Sequence, residues 1–182
     1  MFSYFLDLQK IHQILQKWNN YTTKKSPGSI LIGGSHNADM SYYGSVNKSE
    51  LDIVINFKLV RENNADTEFY TAKNFKVLIE KYLANIPDGK WPSWGLTSWI
   101  HKRVGSNVPR DLAKSLNVLL LTLPGTPIVF YGDEIGMMGV ESKKYPKDTN
   151  KSPMQWDNTQ NAGRFGPSLI QFQFTYMEFL CG

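Results

Sequence analysis

The chain has 182 residues, of which 41% are apolar and 20% charged, with a formal net charge of +4 and a pI near 9.0. That is length enough for one domain with its own core, at ordinary globular composition. It contains no run of about 18 apolar residues, so nothing in it reads as a membrane span. Apart from Lys143, Lys144, Lys147 and Lys151 the lysines are scattered along the sequence. Nucleic-acid binders gather cations on one stripe, so the expectation is a mildly basic solvated surface and no nucleic-acid partner.

Cys181 is the single cysteine, so no internal disulfide can form. Three N-x-S/T sequons, at Asn20, Asn47 and Asn150, are possible N-glycosylation sites and fit an extracellular-facing protein. The opening MFSYFLDLQKIHQILQKW lacks the basic start and continuous apolar stretch of a signal peptide. A membrane anchor, if the protein uses one, is expected outside this chain or in a partner.

Within residues 1–19, Phe5, Leu8, Ile11, Ile14, Leu15 and Trp18 recur at helical spacing. A polar stretch ending in Pro27-Gly28 marks a turn. Ile30-Leu31-Ile32, closed by Gly33-Gly34, reads as a buried strand, and Leu51 to Phe57 as a second. Residues 71–83 carry Phe75, Leu78, Ile79 and Tyr82 at helical spacing, stopped by Pro87-Asp88-Gly89. Trp91 to Ile100 is a third strand, rich in aromatics. Pro109 suits the first turn of a helix that runs through Leu112, Leu116, Leu119 and Leu120 to Pro124-Gly125. Ile128 to Tyr131 is the fourth strand, and residues 139–167 read as a long loop after it. Helices alternating with short apolar strands predict an α/β protein with a parallel sheet, either a barrel or doubly wound.

The block LLLTLPGTPIVFYGDEIGM, Leu119 to Met137, resembles the helix-to-last-strand segment of the α-amylase/α-glucosidase superfamily, glycoside hydrolase family 13. SPMQWDNTQNAG, Ser152 to Gly163, is similar to the loop that follows that strand. YYGS near Tyr42, with LDIVINF after it, resembles the lead into the sixth strand. The resemblance implies the C-terminal half of an α-amylase-type (β/α)8 TIM barrel, from about the fourth helix to the eighth strand. It covers residues 1–165. Residues 166–182 form an unmatched tail, read as an unnatural terminus or as a short helix or strand from Leu169 to Leu180. An incomplete barrel leaves two unpaired edges, so the chain is expected to be marginal as an isolated monomer.

Retaining glycosidases of this type need two carboxyl groups roughly 5–5.5 Å apart. The resemblance implies an acid/base Glu after the fifth strand and an Asp preceded by Asn-His after the seventh. In WPSWGLTSWIHKR, Trp91 to Arg103, the frame Trp91, Pro92, Trp94 and Arg103 is kept, but Ser98, Trp99 and Ile100 stand at the Asn, His and Asp positions. Gly33-Gly34-Ser35 stands where the Glu belongs, and Asp39 is the one acid nearby. Gly34, Ser98, Trp99 and Ile100 are therefore degenerate catalytic positions, with Trp99 and Ile100 expected to help fill the cleft. Asp133-Glu134 and Asp157 are expected to shape loops. Trp91, Trp94, Trp99 and Trp156 are either sugar platforms or packing residues. His12, His36 and His101 lack metal-ligand spacing, and Gly33-Gly34 and Gly132 are turn glycines without a phosphate-loop pattern. No metal or cofactor is expected.

Loss at two catalytic stations resembles the heavy subunits of heteromeric amino-acid transporters, of rBAT-like and 4F2 type. SILIGGSHNADM and WPSWGLTSW are more similar to the degenerate pattern of these subunits, and KSPMQWDNTQNAG is rBAT-like. What this implies is a non-catalytic ectodomain, a pseudoenzyme on the extracellular side of the plasma membrane, that scaffolds and traffics a transporter light subunit. The anchor and linking cysteine would precede the barrel, so Cys181 does not stand in for that cysteine. The alternative is an α-glucosidase or maltase acting in carbohydrate metabolism.

Overall fold

The computed structural model describes residues 9–34, 40–45, 48–60, 69–139 and 149–157. Helix α1, Gln9–Lys25, turns Ile11 and Leu15 toward a core formed by Tyr42, Tyr43, Leu51 and Val54. It runs six residues past the predicted end at residue 19. Thr22 is tolerated inside it because its hydroxyl donates back to the carbonyls of Trp18 and Asn19, at 2.9 and 3.0 Å.

Strand β1, Ile32–Gly34, is followed by a 3-10 turn, Met40–Tyr43, and a small antiparallel hairpin of β2, Gly44–Ser45, and β3, Lys48–Ser49. Strand β4, Ile53–Ile55, leads to helix α2, Ala72–Ala84, whose N-terminus is capped by the Thr71 hydroxyl accepting from the Asn74 amide. Strand β5, Ser93–Gly95, precedes a single turn, α3, Val104–Asn107, and helix α4, Arg110–Thr122, which Pro109 opens. Strand β6, Thr126–Ile128, follows directly. Gly125 makes that return possible: it has φ +112°, and a Cβ there would lie 2.4 Å from the Pro92 carbonyl oxygen.

Strand β1 pairs in parallel with β4, and β5 with β6, in the registers Ile32–Ile53 and Ser93–Thr126. Parallel bridges Ile53–Trp91 and Asn56–Trp94 join β4 to β5. The four strands therefore form one parallel arc in chain order, β1-β4-β5-β6. Trp94, Leu96, Leu116 and Leu120 are each 1% exposed and form the main core with Tyr82 of α2. Among the described residues β1 and β6 have no strand partner on their outer sides, and Ile32 and Val129 are half exposed there.

The element order matches the sequence expectation, but the strands are shorter. The predicted strand 91–100 ends at Gly95, because Ser98 Oγ captures the backbone amides of Ile100 and His101, at 3.1 and 3.0 Å, and turns the chain. The last strand lies two residues earlier than predicted. Its register is set by β5, while the carbonyls of Phe130 and Tyr131 serve Asp133 and Arg103 instead.

Candidate functional site

The C-terminal ends of parallel barrel strands are where function sits. Here that rim is built from Gly34 at the end of β1, Phe57 just past β4, residues 97–103 after β5 and residues 130–137 after β6.

Phe57 organises the centre of the rim. Its ring stacks on His101, with centroids 4.5 Å apart. It also lies so close over β5 that a Cβ on Gly95 would come within 2.6 Å of its edge. A Cβ on Gly34 would meet the same ring at 3.7 Å. Two side-chain-free positions thus flank one aromatic ring where the resemblance places acid chemistry. Sequence reasoning passed over Phe57; the only signal was its place at the end of the second β-rich run.

The loop after β5 holds Ser98 Oγ 2.8 Å from His101 Nδ1, and Ser98 also anchors the turn described above. On that turn Trp99 and Ile100 are 64% and 59% exposed. Both side chains lie at the rim with much of their surface open, and the ring packed against β5 is that of Phe57. Trp94 is a packing residue, buried with its indole N–H on the Pro124 carbonyl at 2.8 Å, whereas Trp91 and Trp156 are exposed.

Behind the rim, Arg103 is completely buried and ties three segments together. Its guanidinium donates to the Tyr131 carbonyl at 2.6 Å and the Asn150 carbonyl at 3.1 Å, and lies against the Phe130 and Tyr131 rings. Asp133 Oδ1 stands 3.8 Å from Arg103 Nη1, within Coulombic reach but beyond hydrogen-bond distance. Burial raises the Asp133 pKa to about 6, against the opposing influence of the Thr97 hydroxyl and the Arg103 charge. Glu134, next in sequence, is exposed, so the two acids diverge. Gly132 turns the chain between Tyr131 and Asp133 with φ +85°, and a Cβ there would meet Met137 Sδ at 2.6 Å.

Asn150 belongs to the same knot. It is 6% exposed, its side-chain oxygen accepts from the Arg103 amide, and its Nδ2 donates to the carbonyls of Ser98 and His101. Its side-chain amide, the group a glycan would need, is thus buried and engaged in hydrogen bonds. Asn20 is exposed on α1. Asn47, Ser35, His36, Asp39, Cys181 and the tail 166–182 lie outside the described residues. His12 lies at the other side of the molecule, where its Nδ1 is 2.6 Å from the buried Glu50. Among the described residues no three His, Cys, Asp or Glu side chains gather as a metal site.

A family model described as Alpha amylase, catalytic domain, matches residues 2–175. This chain belongs to that family. It is 37% identical over 142 residues to the Amino acid transporter heavy chain SLC3A1 of Rattus norvegicus, covering 75% of this chain and 20% of the relative. It is 32% identical over 163 residues to the Homo sapiens heavy chain of the same name, covering 84% and 23%. It is also 29% identical over 171 residues to an Alpha-glucosidase of Culex pipiens, covering 88% and 29%. The chain thus spans less than a third of the length of these relatives. Among solved structures, the alpha-glucosyl transfer enzyme XgtA superposes with a TM-score of 0.66 at 19% identity, over 86% of this chain and 32% of that one. The MutB D200A mutant in complex with glucose superposes with a TM-score of 0.63 at 22% identity, over 84% and 36%.

The arc of four strands is thereby the C-terminal half of an α-amylase-type (β/α)8 barrel, as the resemblance implied. In this amylase-family half, glycine stands at the end of β1, and serine, tryptophan and isoleucine occupy positions 98–100. The buried carboxylate of the rim, Asp133, faces Arg103 behind it. The carboxylates among the described rim residues are Asp133 and Glu134, adjacent in sequence, one buried against Arg103 and the other exposed.

Proposed function

We propose that this chain is a non-catalytic, amylase-like part of an amino-acid transporter heavy subunit, which scaffolds and traffics a light-subunit partner on the extracellular side of the plasma membrane. The observation that carries this reading is the rim itself. Gly34 and Ile100 cannot donate or accept a catalytic proton or carry charge, and Phe57 sits between the strands that would present such groups. The similarity to the rat and human heavy chains supports the same reading. Among the described residues no helix is long and apolar enough to cross a membrane, so the light subunit would be reached through other parts of the protein and through the barrel surface.

The test is co-expression of the full-length protein with a transporter light subunit, with surface biotinylation as the readout. Surface light subunit rises severalfold on this reading; an unchanged amount overturns it. The second reading, an α-glucosidase, is favoured by the similarity to the Culex pipiens protein. It requires the purified full-length protein to release nitrophenol from 4-nitrophenyl α-glucoside above the no-protein control.

A further inference from the structure

Helix α1 carries four lysines, Lys10, Lys17, Lys24 and Lys25, and no acidic residue. Those four equal the formal excess of the whole chain, +4. At 100° per residue, Lys10, Lys17 and Lys24 fall within about 40° of one another, in a row with about 10 Å of rise between neighbours. They look scattered in sequence but share one helix face. All four are exposed, while the opposite side of the helix buries Asn19 and turns Ile11 and Leu15 inward.

The contrast with other exposed lysines is what gives the row meaning. Lys76 of α2 is offset by Glu80 four residues on, and Lys114 of α4 by Asp111. Among the described residues no carboxylate lies within ion-pair distance of the α1 lysines. Lys24 and Lys25 also meet the negative end of the helix dipole, which rationalises those two. It does not rationalise Lys10 and Lys17. Beside the row, within the next 80° or so of the same surface, Trp18 and Tyr21 are 57% and 65% exposed.

A straight row of unpaired cations flanked by aromatic faces is complementary to a linear polyanion built of rings. The lysines meet its charged groups, and Trp18 and Tyr21 stack on its sugar faces. A bilayer is less well matched, because insertion needs a broad apolar face and this helix spends its apolar side on the protein core. We propose that the exposed face of α1 is a binding surface for a sulfated polysaccharide chain. This is independent of whether the barrel escorts a transporter, since it concerns direct binding by the purified protein.

The experiment uses purified full-length protein and a size-defined heparin oligosaccharide at physiological salt. The triple variant Lys10→Gln, Lys17→Gln, Lys24→Gln should weaken binding roughly tenfold or more and flatten its salt dependence by about three ions. The matching arginine triple should retain binding, and the α2 triple Lys73→Gln, Lys76→Gln, Lys81→Gln should change it less than about twofold. Trp18→Ala, which leaves the charge untouched, should weaken it a further few-fold. Equal losses from the α1 and α2 triples, equal binding of desulfated heparin, or preferential binding to phosphatidylserine vesicles would each overturn the proposal.

Discussion

Arg103 and Asp133 stand 3.8 Å apart with both side chains almost wholly removed from water, 0% and 2% exposed. The pair joins the loop after β5 to the turn after β6. Arg103 extends the tie to Asn150 through two hydrogen bonds to that residue's backbone and side chain. Replacing Asp133 by alanine leaves a buried guanidinium without its counter-charge. The expected cost is about 3–5 kcal/mol, read from urea denaturation of the folded protein. A loss below about 1 kcal/mol would mean that the carbonyls of Tyr131 and Asn150 alone satisfy Arg103.

The same aspartate predicts a pH dependence of unusual sign. Its folded pKa, about 6, is above the ordinary 3.8, so the fold binds the proton more tightly than the unfolded chain does. Its contribution is therefore greatest below about pH 4, falls as pH rises from about 4 through 6, and is level above. The size is on the order of 2–3 kcal/mol. The difference in stability between wild type and Asp133→Asn, followed from pH 4 to 7, should move in that direction. A flat difference would show that Asp133 titrates normally.

Phe57 and Gly95 are predicted to be coupled. Gly95→Ala places a methyl group 2.6 Å from the Phe57 ring, which must then shift from His101. The expected cost is about 1–3 kcal/mol. In the double variant with Phe57→Ala the clash is gone, so the two changes together should cost clearly less than their sum. Strict additivity in thermal denaturation would place the ring elsewhere.

Glu50 is 3% exposed and holds α1 in place: its carboxylate accepts from Gln16 at 3.0 Å and lies 2.6 Å from His12, while its carbonyl accepts from Asn19 at 2.8 Å. Glu50→Ala strands Gln16 and His12 while leaving the backbone bond to Asn19, and should lower stability by about 1–3 kcal/mol, with the denaturant midpoint falling at unchanged slope. Glu50→Gln keeps most of the shape and should cost less.

Putting one acid back does not make a glycosidase. Ile100→Asp restores a carboxyl group at one station while Gly34 still supplies no proton donor. No hydrolysis of 4-nitrophenyl α-glucoside should appear in that variant of the full-length protein. Measurable turnover would mean that an acid outside the described residues serves the cleft.

The architecture was legible because its signals are local. Helical spacing of Phe75, Leu78, Ile79 and Tyr82 and the punctuation at Pro87-Asp88-Gly89 and Pro124-Gly125 mark elements that the structure contains. Strand ends were less legible, because a hydroxyl three residues ahead decides where β5 stops and pairing with β5 decides where β6 starts. At the rim, the family frame around Trp91 to Arg103 falls on the loop after β5. The exposure of Trp99 and Ile100 depends on the Ser98 turn, and the position of Phe57 on two glycines from neighbouring strands. Neither relationship leaves a periodic trace. The burial of Asn150 is likewise a long-range event, made by contacts with residues about 50 positions earlier.

Strands β1, β4, β5 and β6 stand side by side in the order in which they are made. Each one can therefore dock on its predecessor as soon as the intervening segment is complete, and no loop need thread past another. Growth by such accretion needs few distant encounters and is fast for a parallel sheet. During synthesis the advancing edge of this arc is always the newest strand. Any element that closes the circle must join β1 and β6, the two strands farthest apart in the arc. Closure of the barrel therefore waits on β6, the last of the four strands to emerge.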